Sequence, residues 1–268
     1  MDEKKVVNVG GSIEESLQGQ YTIDVPSVLK EAWKLTLRTR IAINVGLLFI
    51  LIFAVIVSFV ISNSLGGIEE VIKDPQSSTL LNIVIVLISS PFLVGVEMMG
   101  IFHAVGIKTN SKLIFAFLKR GSWVAVCALL TSVLISIGMS LFILPGIYLS
   151  AAFSLALPLV VDKNLSPLKA IILSLKVTRF QWFKLVSIYA LLLIALFMSL
   201  IPLVILAQSQ FSVIGVIIFL VALTFIAPLF YNVKGILYRE IFGMQLSSSD
   251  TDTDTDTTPN QMSDTFSA

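Results

Sequence analysis

The chain has 268 residues, of which 56 % are hydrophobic and only 13 % charged, with a net charge of +1 and a mean hydropathy of +0.94. A soluble domain carries about 25 % charged residues and interrupts its apolar positions so that one face meets water; this composition excludes that class. The single cysteine, Cys127, excludes an intramolecular disulfide and a Cys-rich metal site, and in its apolar run it reads as a small buried hydrophobe.

In chain order, residues 1–26 read as a flexible cytoplasmic N-terminus. They open with Asp2 and Glu3, and the first forty residues hold no apolar core. They do not read as a cleavable signal peptide, and the first apolar run serves as an uncleaved anchor. Ser27 can cap a basic amphipathic helix with Lys30, Lys34 and Arg38 on one face and Leu29, Trp33 and Leu37 beside them. A first span follows over 41–61. The next loop is acidic, with Glu69, Glu70 and Asp74 around Lys73. The second span, 80–106, contains Glu97 and His103.

A second basic segment sets Lys112 and Lys119 against Leu113, Ile114 and Phe117. The uncharged stretch 121–161 is too long for one span and right for two, over 122–144 and 147–161, turning at Leu144-Pro145-Gly146. Ser166-Pro167 opens a third basic helix, with Leu168, Ile171, Ile172 and Leu175 on its apolar face and Lys169 and Lys176 among its polar residues. The stretch 185–233, also uncharged, splits at Gln208-Ser209-Gln210 into spans 185–207 and 211–233. Residues 245–268 read as a disordered acidic tail. Asp250, Asp252, Asp254 and Asp256 alternate with threonine there, but a calcium loop starting at Asp250 would need Gly and Glu where Thr255 and Gln261 stand.

Apart from the short 147–161, each span is long enough to cross a hydrocarbon core of about 30 Å as a helix. None alternates apolar and polar residues as barrel strands do, and a helix satisfies its backbone in lipid. The fold class is therefore all-α: a polytopic membrane protein with six transmembrane helices in three hairpins. A basic amphipathic interfacial helix precedes each hairpin, an irregular threefold repeat. With both ends in the cytoplasm, every lysine and arginine except Lys73 falls on the inner side, as basic residues do. Ser132, Ser136 and Ser140, and Ser150 and Ser154, form small-residue stripes that let helices approach. Pro91, Pro158, Pro202 and Pro228 lie inside spans, where proline shapes or kinks a helix.

One stretch carries a family pattern: Leu144-Pro145-Gly146-Ile147-Tyr148, then Leu157-Pro158-Leu159-Val160-Val161-Asp162, then Ser166-Pro167-Leu168-Lys169-Ala170, Ser174 and Trp182. It resembles the uncharacterised YciC-like family of six-pass bacterial inner-membrane proteins. It is also similar to the membrane domain attached to some glycerophosphodiester phosphodiesterases. The likeness is best over 144–190, looser over 91–120 and slight at the two ends. It implies a location in the bacterial cytoplasmic (inner) membrane and carries no activity across. The phosphodiesterase domain itself is a barrel with His and Glu at its active site, whereas this chain has one His and no soluble segment large enough to hold it.

For chemistry, Glu97 stands out, because an ionisable residue inside a span is costly and is a functional candidate by default. It reads either as a proton or cation site or as a hydrogen-bonded carboxyl facing the bundle. His103, about 240° further round the helix, is expected near the interface on another face. Asp162 reads as a solvated turn beside Lys163. No phosphate loop, dinucleotide turn, metalloprotease helix or Ser/His/Asp set appears. No catalytic residue, cofactor or metal is expected. Lys30, Lys34, Arg38, Lys112, Lys119, Lys169 and Lys176 mark anionic lipid headgroups on the cytoplasmic face as partners. Other membrane proteins are further partners, and nucleic acid is not. The resulting expectation is a non-enzymatic membrane protein serving envelope maintenance or another membrane component. The rival is a small transporter using Glu97. A lipid-modifying enzyme is weaker, for want of convergent polar residues.

Overall fold

A computed structural model describes residues 6–247; the predicted acidic tail beyond Ser247 lies outside the described residues. Strand β1 (Val6–Val9) and the short helix α1 (Ile13–Leu17) lead into α2 (Val25–Ser64). Helices α3 (Ile68–Lys73) and α4 (Pro75–Ala104) follow. Two 3₁₀ turns over 111–120 precede α5 (Gly121–Leu141), α6 (Ile143–Phe153) and α7 (Ala156–Asp162). Then come α8 (Pro167–Thr178), α9 (Trp182–Leu206), α10 (Ser212–Phe242) and strand β2 (Met244–Ser247). Among the described residues, six helical stretches are long and apolar enough to cross a membrane. The all-α polytopic class is the one observed.

The basic segments take three forms. The first does not lie apart from its span: α2 runs unbroken from Val25 to Ser64 through 40 residues. No proline or glycine separates Arg38 from Ile41, so the helix simply continues. At 1.5 Å per residue it is about 60 Å long, twice the hydrocarbon thickness. The second is a pair of 3₁₀ turns, with Asn110 accepting from the Lys112 amide at 3.3 Å. The third, α8, is the expected helix, separated from α9 by a 3₁₀ turn at Arg179–Gln181.

The chain forms two compact units. The first comprises residues 6–44, 97–109 and 175–247, and the second 45–96 and 110–174. In the second, Phe49, Phe53, Phe92 and Phe115 form an aromatic cluster, with ring centroids 5.1–6.0 Å apart. The α5–α6 turn sits at Phe142, slightly earlier than Leu144-Pro145-Gly146. Pro145 falls in the first turn of α6, where proline is tolerated because its missing amide would have no intrahelical partner anyway. The backbones of α5 and α6 meet at Gly138 and Gly146, not at the serine stripe. Ser136 and Ser140 are exposed, and Ser132 and Ser140 donate back to their own helix. Pro158 stands in the first turn of α7, and the preceding break at Ser154–Leu155 fits the clash of a proline ring with the carbonyl four residues back. The Asp162 carboxylate is buried, 3.2 Å from Lys163, rather than solvated.

In the first unit, residues read as flexible are structured. β1 pairs antiparallel with β2, Val6 opposite Ser247 and Val9 opposite Met244. The Tyr21 hydroxyl donates to the Val177 carbonyl at 2.9 Å, and Ser16 donates to that of Ile241. The first and last described segments are therefore paired with one another. The inner half of α10 supplies much of this unit's core: Ile236, Leu237, Tyr238, Ile241 and Phe242 are buried, each worth about 1.5–3 kcal/mol for an aliphatic or phenyl side chain. Contacts of α10 with α2 run in opposite chain order: Arg239 with Glu31, Asn232 with Thr36, Thr224 with Asn44. Contacts with α4 run in the same order: Lys234 with Glu97, Gly235 with Gly100, Arg239 with Ala104. Antiparallel first and last spans, with parallel second and last, are what a six-span alternation requires.

Candidate functional site

The site forms where α4 crosses α10. Both helices carry a glycine at the crossing, and a Cβ on Gly235 would run into the Gly100 carbonyl, as one on Gly100 would into that of Tyr231. Only glycine allows that approach. On one side of the crossing, Lys234 Nζ lies 2.5 Å from Glu97 Oε1. These side chains are 5 % and 6 % exposed, so the pair is removed from water. The other carboxylate oxygen, Glu97 Oε2, is buried with no hydrogen-bond partner.

Beyond the crossing, His103 is buried and joins a chain of polar groups. Its Nδ1 is 3.1 Å from Asn232 Oδ1, and its Nε2 is 2.7 Å from the Thr109 hydroxyl. Asn232 donates onward to the Thr36 hydroxyl at 3.0 Å. A neutral imidazole with its proton on Nδ1 satisfies every link: it donates to Asn232 and accepts from Thr109. The imidazole is thus buried and bonded through both ring nitrogens.

Arg239 closes the end of the site. It grips Glu31 with two parallel bonds, 2.6 and 3.0 Å, and Glu240 at 2.6 Å. It also donates to the Ala104 carbonyl at 2.6 Å, where the end of α4 leaves carbonyls without helical partners. A cation there also complements the helix dipole. Its own carbonyl accepts from Gly11 and Gly243.

Lys234 lies between Asn232 and Arg239 on α10, hence level with residues 31–36 of α2. That is the basic stretch ahead of the apolar run beginning at Ile41. The Glu97–Lys234 pair lies seven residues before the end of α4.

No family model, no curated protein and no solved structure matches this chain. The site is therefore read from its own geometry. Glu97 and His103 act through different partners on one neighbouring helix and share no hydrogen bond. Lys30, Lys34, Arg38, Lys112, Lys119, Lys169 and Lys176 are all exposed. Among the described residues, no three His, Cys, Asp or Glu side chains gather as metal ligands. A recess of about 410 Å³ beside the terminal ribbon is lined by Ser12, Glu15, Gln20, Tyr21, Thr22 and Glu240, among others. Lys234, Asn232 and Arg239 were invisible as site residues, because Lys234 and Arg239 read as ordinary basic flanks. The available signal was the helical spacing of Ile236, Leu237, Ile241 and Phe242, which carries α10 past residue 233.

Proposed function

We propose that this integral membrane protein is non-enzymatic. In this reading it sits in a bacterial inner membrane with both termini in the cytoplasm, and its helix ends form a fixed cytoplasmic-side knot that serves another membrane component or envelope upkeep. The observation that carries the reading is the closure of the Glu97–Lys234 pair over a glycine–glycine crossing. The polar side chains of the knot are engaged with one another, and the backbones behind them are already in contact. Such a buried network fixes one arrangement of helices. The resemblance to YciC-like proteins agrees with this reading. Anionic headgroups facing the exposed lysines, and neighbouring membrane proteins, are its proposed partners.

A second reading, a small transporter, rests on the unpartnered Glu97 Oε2 and on the intramembrane prolines. One experiment separates the two. A chain carrying E97M and K234M together should accumulate normally and complement a deletion strain if the pair is a fastener. Loss of complementation at normal abundance, with loss of proton- or cation-dependent uptake, would overturn the structural reading in favour of transport. Reporter fusions after Asn63 and Gln208 should both appear across the membrane from the two termini; a cytoplasmic signal from either would overturn the topology.

A further inference from the structure

We propose that Arg40, held over the Phe225 ring, forms a discrete binding site for the headgroup of an anionic phospholipid. This rests on the membrane reading above and adds a particular lipid site to it. Arg40 is the last basic residue of α2 before the apolar run that begins at Ile41. Its guanidinium lies 4.2 Å above the Phe225 ring of α10. The same ring stacks on Trp33, centroids 6.1 Å apart. The ring thus holds the cation without a hydrogen bond, which leaves N–H groups at the edge of the guanidinium to bond elsewhere. Among the described residues, no hydrogen bond or ion pair to that edge is found, although Arg239, on α10, takes two carboxylates and a carbonyl.

A ring-held guanidinium with a bare edge suits a phosphodiester, which it meets with two parallel charge-assisted bonds. The surroundings suit the rest of a lipid. Trp33 is 46 % exposed and Ile41 74 %, a tryptophan at headgroup level and an aliphatic side chain just inside it. On α10, Val221 and Ile217 continue the exposed apolar wall towards the acyl region. The wall is braced at this height: Pro228 leaves the Thr224 carbonyl without its helical donor, and the Asn44 side-chain amide fills that place at 2.9 Å. A net negative lipid is favoured over a zwitterionic one because Lys34 and Arg38 stand nearby on the same helix and add positive field.

The test uses the full chain in nanodiscs made from equal parts phosphatidylglycerol and phosphatidylethanolamine, then gentle extraction and native mass spectrometry of the retained lipid. The wild type should retain phosphatidylglycerol in excess. R40Q should lower that excess about tenfold, the loss of one charge-assisted pair. R40K should retain part of it, and F225L, which keeps the charge and removes the stack, should weaken it. K34Q and R38Q should change it less than twofold, since field acts diffusely. If R40Q retains as much as wild type, or K34Q loses as much as R40Q, the site is refuted and only general attraction is left. If the chain enters nanodiscs but takes both lipids alike, this inference fails alone; if it does not enter them, the membrane reading fails with it. Should R40Q misfold, R40K and F225L decide the matter.

Discussion

Removing Lys234 alone should damage the protein more than removing Lys234 and Glu97 together. The 2.5 Å separation corresponds to an attraction of about 7 kcal/mol at an effective dielectric of roughly 20. Taking each ion out of water costs several kcal/mol, so the pair as a whole contributes little net stability. K234M keeps the desolvation of Glu97 and removes its only compensation, leaving a carboxylate whose second oxygen already lacks a partner. The expected cost is about 3–5 kcal/mol, and E97M should cost a similar amount by stranding the ammonium. In E97M/K234M two thioether side chains fill the same volume, and the expected cost falls to about 1 kcal/mol or less. The assay is unfolding of the four purified chains in one detergent, by heat and by titration with a denaturing detergent. Single variants within about 1 kcal/mol of wild type would mean the pair is hydrated and the closed-knot argument is wrong. A double variant as unstable as the sum of the singles would mean that each residue has a separate role.

Three further outcomes are expected. G235A puts a Cβ against the Gly100 carbonyl, so the crossing must open, at about 1–3 kcal/mol; an unchanged unfolding midpoint would contradict the close approach. N44A should cost about 1–2 kcal/mol by leaving the Thr224 carbonyl bare, and P228A should restore most of it by returning the backbone amide. The Asp74 carboxylate accepts from the Ser77 hydroxyl and amide and from the Gln76 amide, which holds its pKa below the ordinary value of 3.8. Its capping contribution is therefore complete above that value and is lost as pH falls through the lowered one. Faster hydrogen exchange at residues 76–78 in D74A should appear at neutral pH and fade in strong acid, and a pH-independent difference would refute the capping role.

The spans were legible because hydropathy is local: 41–61 falls within an observed helix, and 185–207 and 211–233 each overrun one by a single residue. Partnerships were not. Glu97 is an anomaly in its own span, but nothing near it in sequence points to Lys234, which looks like one more flanking lysine. Pro228 advertises a missing hydrogen bond, yet Asn44 is far away in the chain and its amide is unremarkable in sequence. Nothing in the local sequence marks Gly100 or Gly235 as a contact, and only the crossing shows why a side chain is forbidden there. The serine stripe on α5 misled for the opposite reason. Small residues permit close packing, but Ser132 and Ser140 spend their hydroxyls on their own carbonyls, while Gly138 makes the approach.

The β1–β2 ribbon has a consequence for how the protein is made. Strand β1 precedes every described helix, and its partner β2 follows them all, Val6 opposite Ser247. It stays unzipped through the synthesis of every intervening helix. Until α10 arrives, Glu31 and Thr36 on α2 and Glu97 on α4 also lack their matches. A chain truncated before residue 212 would therefore enter the bilayer with those groups unmatched, and the ribbon can close only after every described helix has been made.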